Sequence, residues 1–186
     1  MLERQFLIAV YGSEDNTQRA VDALIEAGFP MDRISVLGKL RHSGDDVLGV
    51  VYPEVGERVR VWASHGAIWG GLLGALAGVT GVFLIPGVGA VMAIGPLVNA
   101  IAGAATGAAL GGGTLAGAAA LSQVSVALHG AGIPEHALEQ LHREIESDRI
   151  VIVLQSDSAA ELLPYRRHLE RGQPLRTQLL PESIEV

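Results

Sequence analysis

The chain has 186 residues, no cysteine and a formal net charge of −7. That composition excludes disulfides, thiolate nucleophiles and Cys-ligated metals, and its acidic balance argues against nucleic acid, whose phosphates require basic patches. The charge is confined to the ends. Residues 1–60 carry seven Lys/Arg and ten Asp/Glu, residues 135–186 carry six and ten, and the 74 residues from Val61 to Pro134 carry none.

The chain opens on Met1-Leu2-Glu3-Arg4-Gln5, which lacks the apolar core and small-residue cleavage site of a signal peptide, so the front is expected to stay in the compartment where it is made. Phe6 to Tyr11 is a short apolar run closed by Gly12 and reads as a buried strand. Ser13 and the acids after it supply helix N-cap chemistry, and Ala20, Val21, Leu24, Ile25 and Ala27 share one helical face. Gly28 suits the C-cap, Pro30 stops the helix, and Ile34 to Leu37 reads as a second strand. Residues 40–60 form a connector, in which Val47 to Tyr52 and Glu57 to Trp62 are expected to pair as an added hairpin around Pro53 to Gly56.

Within the charge-free run, glycines recur four apart: Gly66, Gly70, Gly74 and Gly78, then Gly103, Gly107 and Gly111. A glycine inside a water-exposed helix costs roughly 1 kcal/mol relative to alanine. On one stripe, glycine instead lets helix backbones approach closely, and in lipid that packing drives association. The pattern therefore predicts a glycine-zipper helical hairpin. Its first limb is expected over Ser64–Leu84 and its second from Leu97, with a tip made by Pro86, Gly87, Gly89, Gly95 and Pro96. Asn99 is the expected interhelical hydrogen-bonding residue. The tip lacks Lys and Arg while the base has Arg58, Arg60 and Arg143, which points the base and both termini to the cytoplasm. Trp62 and Trp69 suit an interfacial position near the base.

Beyond Gly132-Ile133-Pro134, Glu135 to Ser147 is an amphipathic helix with Leu138, Leu141 and Ile145 on one face. Arg149 to Leu154 is a strand, Ser156 to Ser158 caps a helix over about Ala159–Arg171, Gly172 and Pro174 end it, and Leu175 to Leu180 suits a last strand. The two ends thus repeat one β-α-β pattern. Two such units predict an α+β fold, a ferredoxin-like α/β sandwich assembled from both chain ends, with a glycine-rich helical membrane hairpin inserted between them. The expected divisions are 1–60, 61–130 and 131–186.

The β-α-β opening from Phe6 to Leu37, the "IPGVGAVMAIGP" segment ending at Pro96 and the "GIPEHALEQLHREIESDRIVIVL" segment ending at Leu154 carry a resemblance. Together they resemble bacterial general-stress-protein-like membrane proteins of uncharacterised function, whose N-terminal part is similar to the heat-induced stress protein domain. The resemblance covers roughly residues 5–155. It implies a stress-associated, membrane-bound bacterial protein of the inner membrane, and it brings no catalytic residues with it.

No catalytic constellation accompanies these features. Gly12-Ser13 lacks the lysine and glycine spacing of a phosphate loop, and Gly87 and Gly89 do not follow a strand as a dinucleotide fingerprint requires. His136 and His142 are six apart, a poor metal spacing on a helix, while His65 and His129 flank the expected hairpin. No cofactor or metal is expected, and no small-molecule ligand is specified. The expected partners are membrane lipid and further copies of the chain. The alternatives are a channel or transport component, although the run holds no membrane carboxylate, and a membrane-tethered α/β module that senses a small ligand.

Overall fold

The computed structural model describes residues 4–39, 80–85, 89–99, 128–129 and 132–181. Their strands are β1 (Gln5–Tyr11), β2 (Ile34–Lys39), β3 (Thr80–Ile85), β4 (Gly89–Ile94), β5 (Ile150–Ser156) and β6 (Arg176–Pro181). The helices are α1 (Glu14–Glu26), α2 (Glu135–Glu146), α3 (Ala159–Leu162) and α4 (Arg166–Glu170), with 3-10 turns at Met31–Arg33 and Leu163–Tyr165. The six strands make one sheet in the order β3-β4-β2-β5-β1-β6. Every neighbouring pair is antiparallel.

That order follows from two β-α-β units that each leave a gap of one strand. The β1-α1-β2 unit leaves room for β5, and the unit from β5 to β6 leaves room for β1. Each gap is filled by the other unit, which converts two parallel crossovers into an antiparallel sheet. The α+β expectation is met, and the inner strands come from both ends of the chain. The central pair is Ile8↔Val153, and the register runs from Gln5↔Ser156 to Tyr11↔Ile150.

Both faces of the sheet are covered, so β1 and β5 are apolar almost throughout instead of alternating with polar residues. Leu7, Ala9, Tyr11, Ile34, Val36, Ile152 and Leu154 point to one face, where they pack with Ala20, Val21 and Leu24 of α1, Leu162 of α3 and Leu169 of α4. Phe6, Ile8, Val10, Leu37, Val151 and Val153 point to the other, against Ala137, Leu138, Leu141 and Ile145 of α2. Local chemistry sets the helix limits. The Ser13 side chain caps α1 by accepting from the Asn16 N–H, and the Ser158 side chain caps α3 by accepting from the Ala160 N–H. The helix expected over Ala159–Arg171 is instead two short helices around a 3-10 turn, because Pro164 has no N–H to continue the α-helical ladder.

The inserted segment departs from expectation at its centre. Thr80 to Leu84, expected as the end of a membrane helix, belongs to strand β3, and Ala90 to Ile94 belongs to β4, which pairs with both β3 and β2. Three residues, 86–88, connect the two strands. The segments on either side of residues 86–88 are thus paired strands and not helical limbs, with Gly89 opening β4. Thr80, Val82, Phe83, Ile85, Val91 and Ile94 are β-branched or aromatic, and pairing on the free edge of β2 supplies the partner that such a stretch needs. Among the described residues no helix is long and apolar enough to cross a membrane. Gly66, Gly70, Gly74, Gly78, Gly103, Gly107, Gly111, Pro86, Gly87, Trp62, Trp69, His65 and the connector hairpin lie outside the described residues.

Candidate functional site

The sequence-predicted site residues that the structure describes gather where the charge-free run meets the sheet. Gly95 follows β4 with φ +97°, and a Cβ there would sit 2.0 Å from the Ile34 carbonyl oxygen and 2.9 Å from the Ser35 Cα. Only glycine combines that left-handed backbone with so close a crossing of β2. Gly95 was expected to break a helix at the tip. It instead clamps the hairpin onto the sheet, with Pro96 half-buried behind it. The chain then turns into a helical segment at Leu97: the Leu97 N–H donates to the buried Ser35 Oγ at 3.2 Å, and the Val98 N–H donates to the Gly95 carbonyl at 3.0 Å.

Leu97 and Val98 are buried, whereas Asn99 beside them is exposed. The run returns to the same core at Leu128, which is 1 % exposed. There the Gly132 N–H donates to the His129 carbonyl and the Ile133 N–H donates to the Leu128 carbonyl, with Gly132 at φ +95°. This pair of bonds is the glycine-terminated helix end that satisfies the last carbonyls, and buried Leu128 and Ile133 bracket it. Residues 100–127 therefore leave and rejoin one apolar core, the core beneath α2.

The buried polar side chains are committed to structure. Thr17 Oγ1 donates to the Ser13 carbonyl at 2.8 Å, and Ser156 Oγ donates to the Glu161 carboxylate, which also pairs with Arg33 at 3.5 Å. The Tyr11 hydroxyl donates to the Leu169 carbonyl at 2.9 Å, and burial pushes its pKa well above the ordinary phenol value. Among the described residues there is no group of three or more His, Asp or Glu placed to hold a metal. His136 is exposed and His142 faces Glu146 at 3.9 Å, so the two do not converge.

One feature escaped the sequence reading. An open groove of about 420 Å³ runs along the C-terminal end of α2 to the start of β6, lined by Gln140, Arg143, Glu144, Ser147, Arg149 and Arg176. Gln140 to Arg149 are neighbours at the end of α2, and only Arg176 comes from far along the chain, so the docking of α2 beside β6 is what completes the groove.

Residues 7–82 match the family model of the heat induced stress protein YflT domain. No curated protein and no solved structure matches the chain. The matched stretch contains most of β1, all of α1 and β2, and the first residues of β3. In this structure β1 pairs with β5 and β6, and β2 pairs with β4 and β5, all of which lie beyond residue 82. The N-terminal stretch of this chain is thus similar to a heat-induced stress protein domain, and its strands β1 and β2 are paired here by strands beyond residue 82.

Proposed function

We propose that this is a non-enzymatic, stress-related protein in which a ferredoxin-like sandwich holds a glycine-rich segment that associates with membrane and with further copies of the chain. The match over residues 7–82 supports the stress-related part. The observation that carries the rest is the absence of charge from Val61 to Pro134 together with the four-residue glycine spacing. Because residues 80–94 are committed to the sheet, the segment acts as two stretches, 61–79 with its four spaced glycines and 100–127 with its three. The second is tied at both ends to the core beneath α2, so it enters and leaves on one side. Twenty-eight residues folded back on themselves as two helical limbs reach about 21 Å, short of a hydrocarbon core of roughly 30 Å. This favours re-entrant insertion or packing between copies over a full crossing by that stretch. In the same reading the domain and both termini sit on the cytoplasmic face of the bacterial inner membrane.

Fractionation and sizing test the proposal. Sedimentation with membranes and an oligomer in detergent are the expected outcome, with Gly70→Leu and Gly107→Leu each reducing oligomer size. Recovery as a monomer from a detergent-free soluble fraction overturns it.

A further inference from the structure

The groove at the end of α2 is cationic in a chain that is acidic overall. Three of its six lining residues are arginines, against one carboxylate, Glu144. Arg149 Nη1 pairs with Glu144 at 2.6 Å, where Glu144 is largely buried at 15 % exposure, and Arg143 Nη1 pairs with Glu139 at 2.6 Å. Arg176 makes no ion pair with any described residue. A guanidinium has five N–H donors, and these pairs use one nitrogen each, so donors remain on all three side chains. Ser147 and Gln140 add a hydroxyl and an amide.

The backbone favours the same reading. A helix C-terminus ordinarily repels anions through its free carbonyls. Here the Ser147, Asp148 and Arg149 N–H groups donate to the Arg143, Ile145 and Glu144 carbonyls, which closes that end internally. The closure holds Asp148 in the left-handed region at φ +58°, uncommon for a residue other than glycine, and delivers Arg149 back beside Glu144. Beneath the groove and sharing Gln140, Glu144 and Arg176 with it is a shallow apolar notch, floored by Ile8, Val10, Leu141 and Leu180 and too small for more than a single water or methyl group. The notch has no room for an apolar substituent, so what the groove offers a ligand is its charged and polar lining.

We propose that the groove formed by Arg143, Arg149 and Arg176 binds a phosphate group. Guanidinium forks match phosphate oxygens in pairs, which a halide cannot reproduce, and a phosphate offers three arginines more charge and more acceptor oxygens than a single carboxylate does. The phosphate is carried either by a small soluble molecule or by a lipid headgroup, and the test separates these sources.

Titration of the full chain with inorganic phosphate and glycerol 3-phosphate, at fixed ionic strength and followed by calorimetry, is expected to show one saturable site. Arg176→Gln and Arg143→Gln should each weaken it about tenfold or more, as loss of a charge-assisted bond implies. Arg171→Gln, which removes an exposed arginine paired with Glu26 on α1, should leave it unchanged. Glu139→Gln, which releases Arg143, should tighten it, a gain that a merely structural role does not produce. Vesicles of phosphatidylcholine with and without phosphatidylglycerol form the second arm. Binding that rises with phosphatidylglycerol and falls in Arg176→Gln identifies the headgroup, and saturation by glycerol 3-phosphate without that dependence identifies a soluble phosphate. Absence of both, or an equal loss in Arg171→Gln, overturns the proposal. Neither result depends on oligomer size, so the site and the self-assembly reading fail separately.

Discussion

The two faces of the sheet are closed by different kinds of chain. On the Tyr11 face the cover consists of α1, α3 and α4, helices that belong to the β-α-β units whose strands they protect. On the Phe6 face the cover is α2 together with Leu97, Val98, Leu128 and Ile133, which belong to the charge-free run. The first face is mainly the product of two crossovers, with Ile94 of β4 the one residue of the charge-free run in its core. The second is shared with the inserted segment, so whatever that segment packs against is coupled through Val98 and Leu128 to the centre of the sheet. Val98 and Leu128, on either side of residues 100–127, are thus anchored in that core, and disturbing the second face is the direct way to release them.

The contrast is broken most severely at its two tightest crossings. Gly95→Ala places a Cβ 2.0 Å from the Ile34 carbonyl in a left-handed backbone, and Gly172→Ala places one 2.2 Å from the Asn16 carbonyl and 2.7 Å from the Tyr11 ring. Each is expected to cost about 3 kcal/mol or more, because backbone cannot yield as a side-chain tip can. Urea unfolding measures both. Gly95→Ala should also expose the roots of the run to proteolysis, whereas Gly172→Ala should loosen α4 from α1 first. Equal protection of the roots in the two variants would dissolve the distinction between the faces.

A smaller effect sharpens the first face. Tyr11→Phe leaves the buried Leu169 carbonyl without its 2.9 Å partner and should cost about 1–2 kcal/mol. Tyr11 also gives that face a pH signature. Its folded pKa is raised by burial above the ordinary value of 10.0, so the folded state keeps its proton where the unfolded chain loses it. Stability from this group is complete below pH 10 and declines as pH rises beyond it. Tyr11→Phe should flatten that alkaline decline, which chemical denaturation at pH 9 and pH 11 reads directly.

The smallest effects belong to the caps that start the crossover helices. Ser13→Ala removes the acceptor for the Asn16 N–H and should cost about 1 kcal/mol. Ser158→Ala removes the acceptor for the Ala160 N–H on a four-residue helix, where less depends on it, and should cost less. Thermal unfolding of the two variants ranks them.

These differences show where sequence patterns carry structural information. The helical face of α2, the serine caps and the apolar strands β1, β2 and β5 follow from periodicity and local hydrogen bonding and appear where expected. On α1, only Ala20, Val21 and Leu24 of the expected face are buried: burial centres on Thr17, Ala20, Val21, Ala23 and Leu24, which leaves Ile25 exposed and Ala27 half-buried. Residues 80–94 do not follow expectation. They lie between two glycine stripes, and a spacing of four read forward from Gly78 carries a helix through Thr80, although Thr80, Val82, Phe83 and Ile85 also suit a strand. Charge-free composition is equally compatible with lipid and with a buried sheet, so composition could not choose between them. The arginine groove carried no motif, since Arg143 and Arg149 at the end of α2 are completed only by Arg176, which a distant strand supplies.

The amino-acid order alone determined two β-α-β units at the chain ends and a long uncharged insertion between them, because helix caps, turn residues and apolar periodicity act over a few neighbouring residues. Only the tertiary structure decided that β5 and β1 fill each other's gaps, that Thr80–Ile94 extends the sheet, that Gly95 crosses Ile34 at backbone contact, and that three arginines meet beside α2. Those outcomes depend on which unpaired strand edge and which uncovered apolar face are near enough to be satisfied, and proximity of that kind is a property of the folded chain.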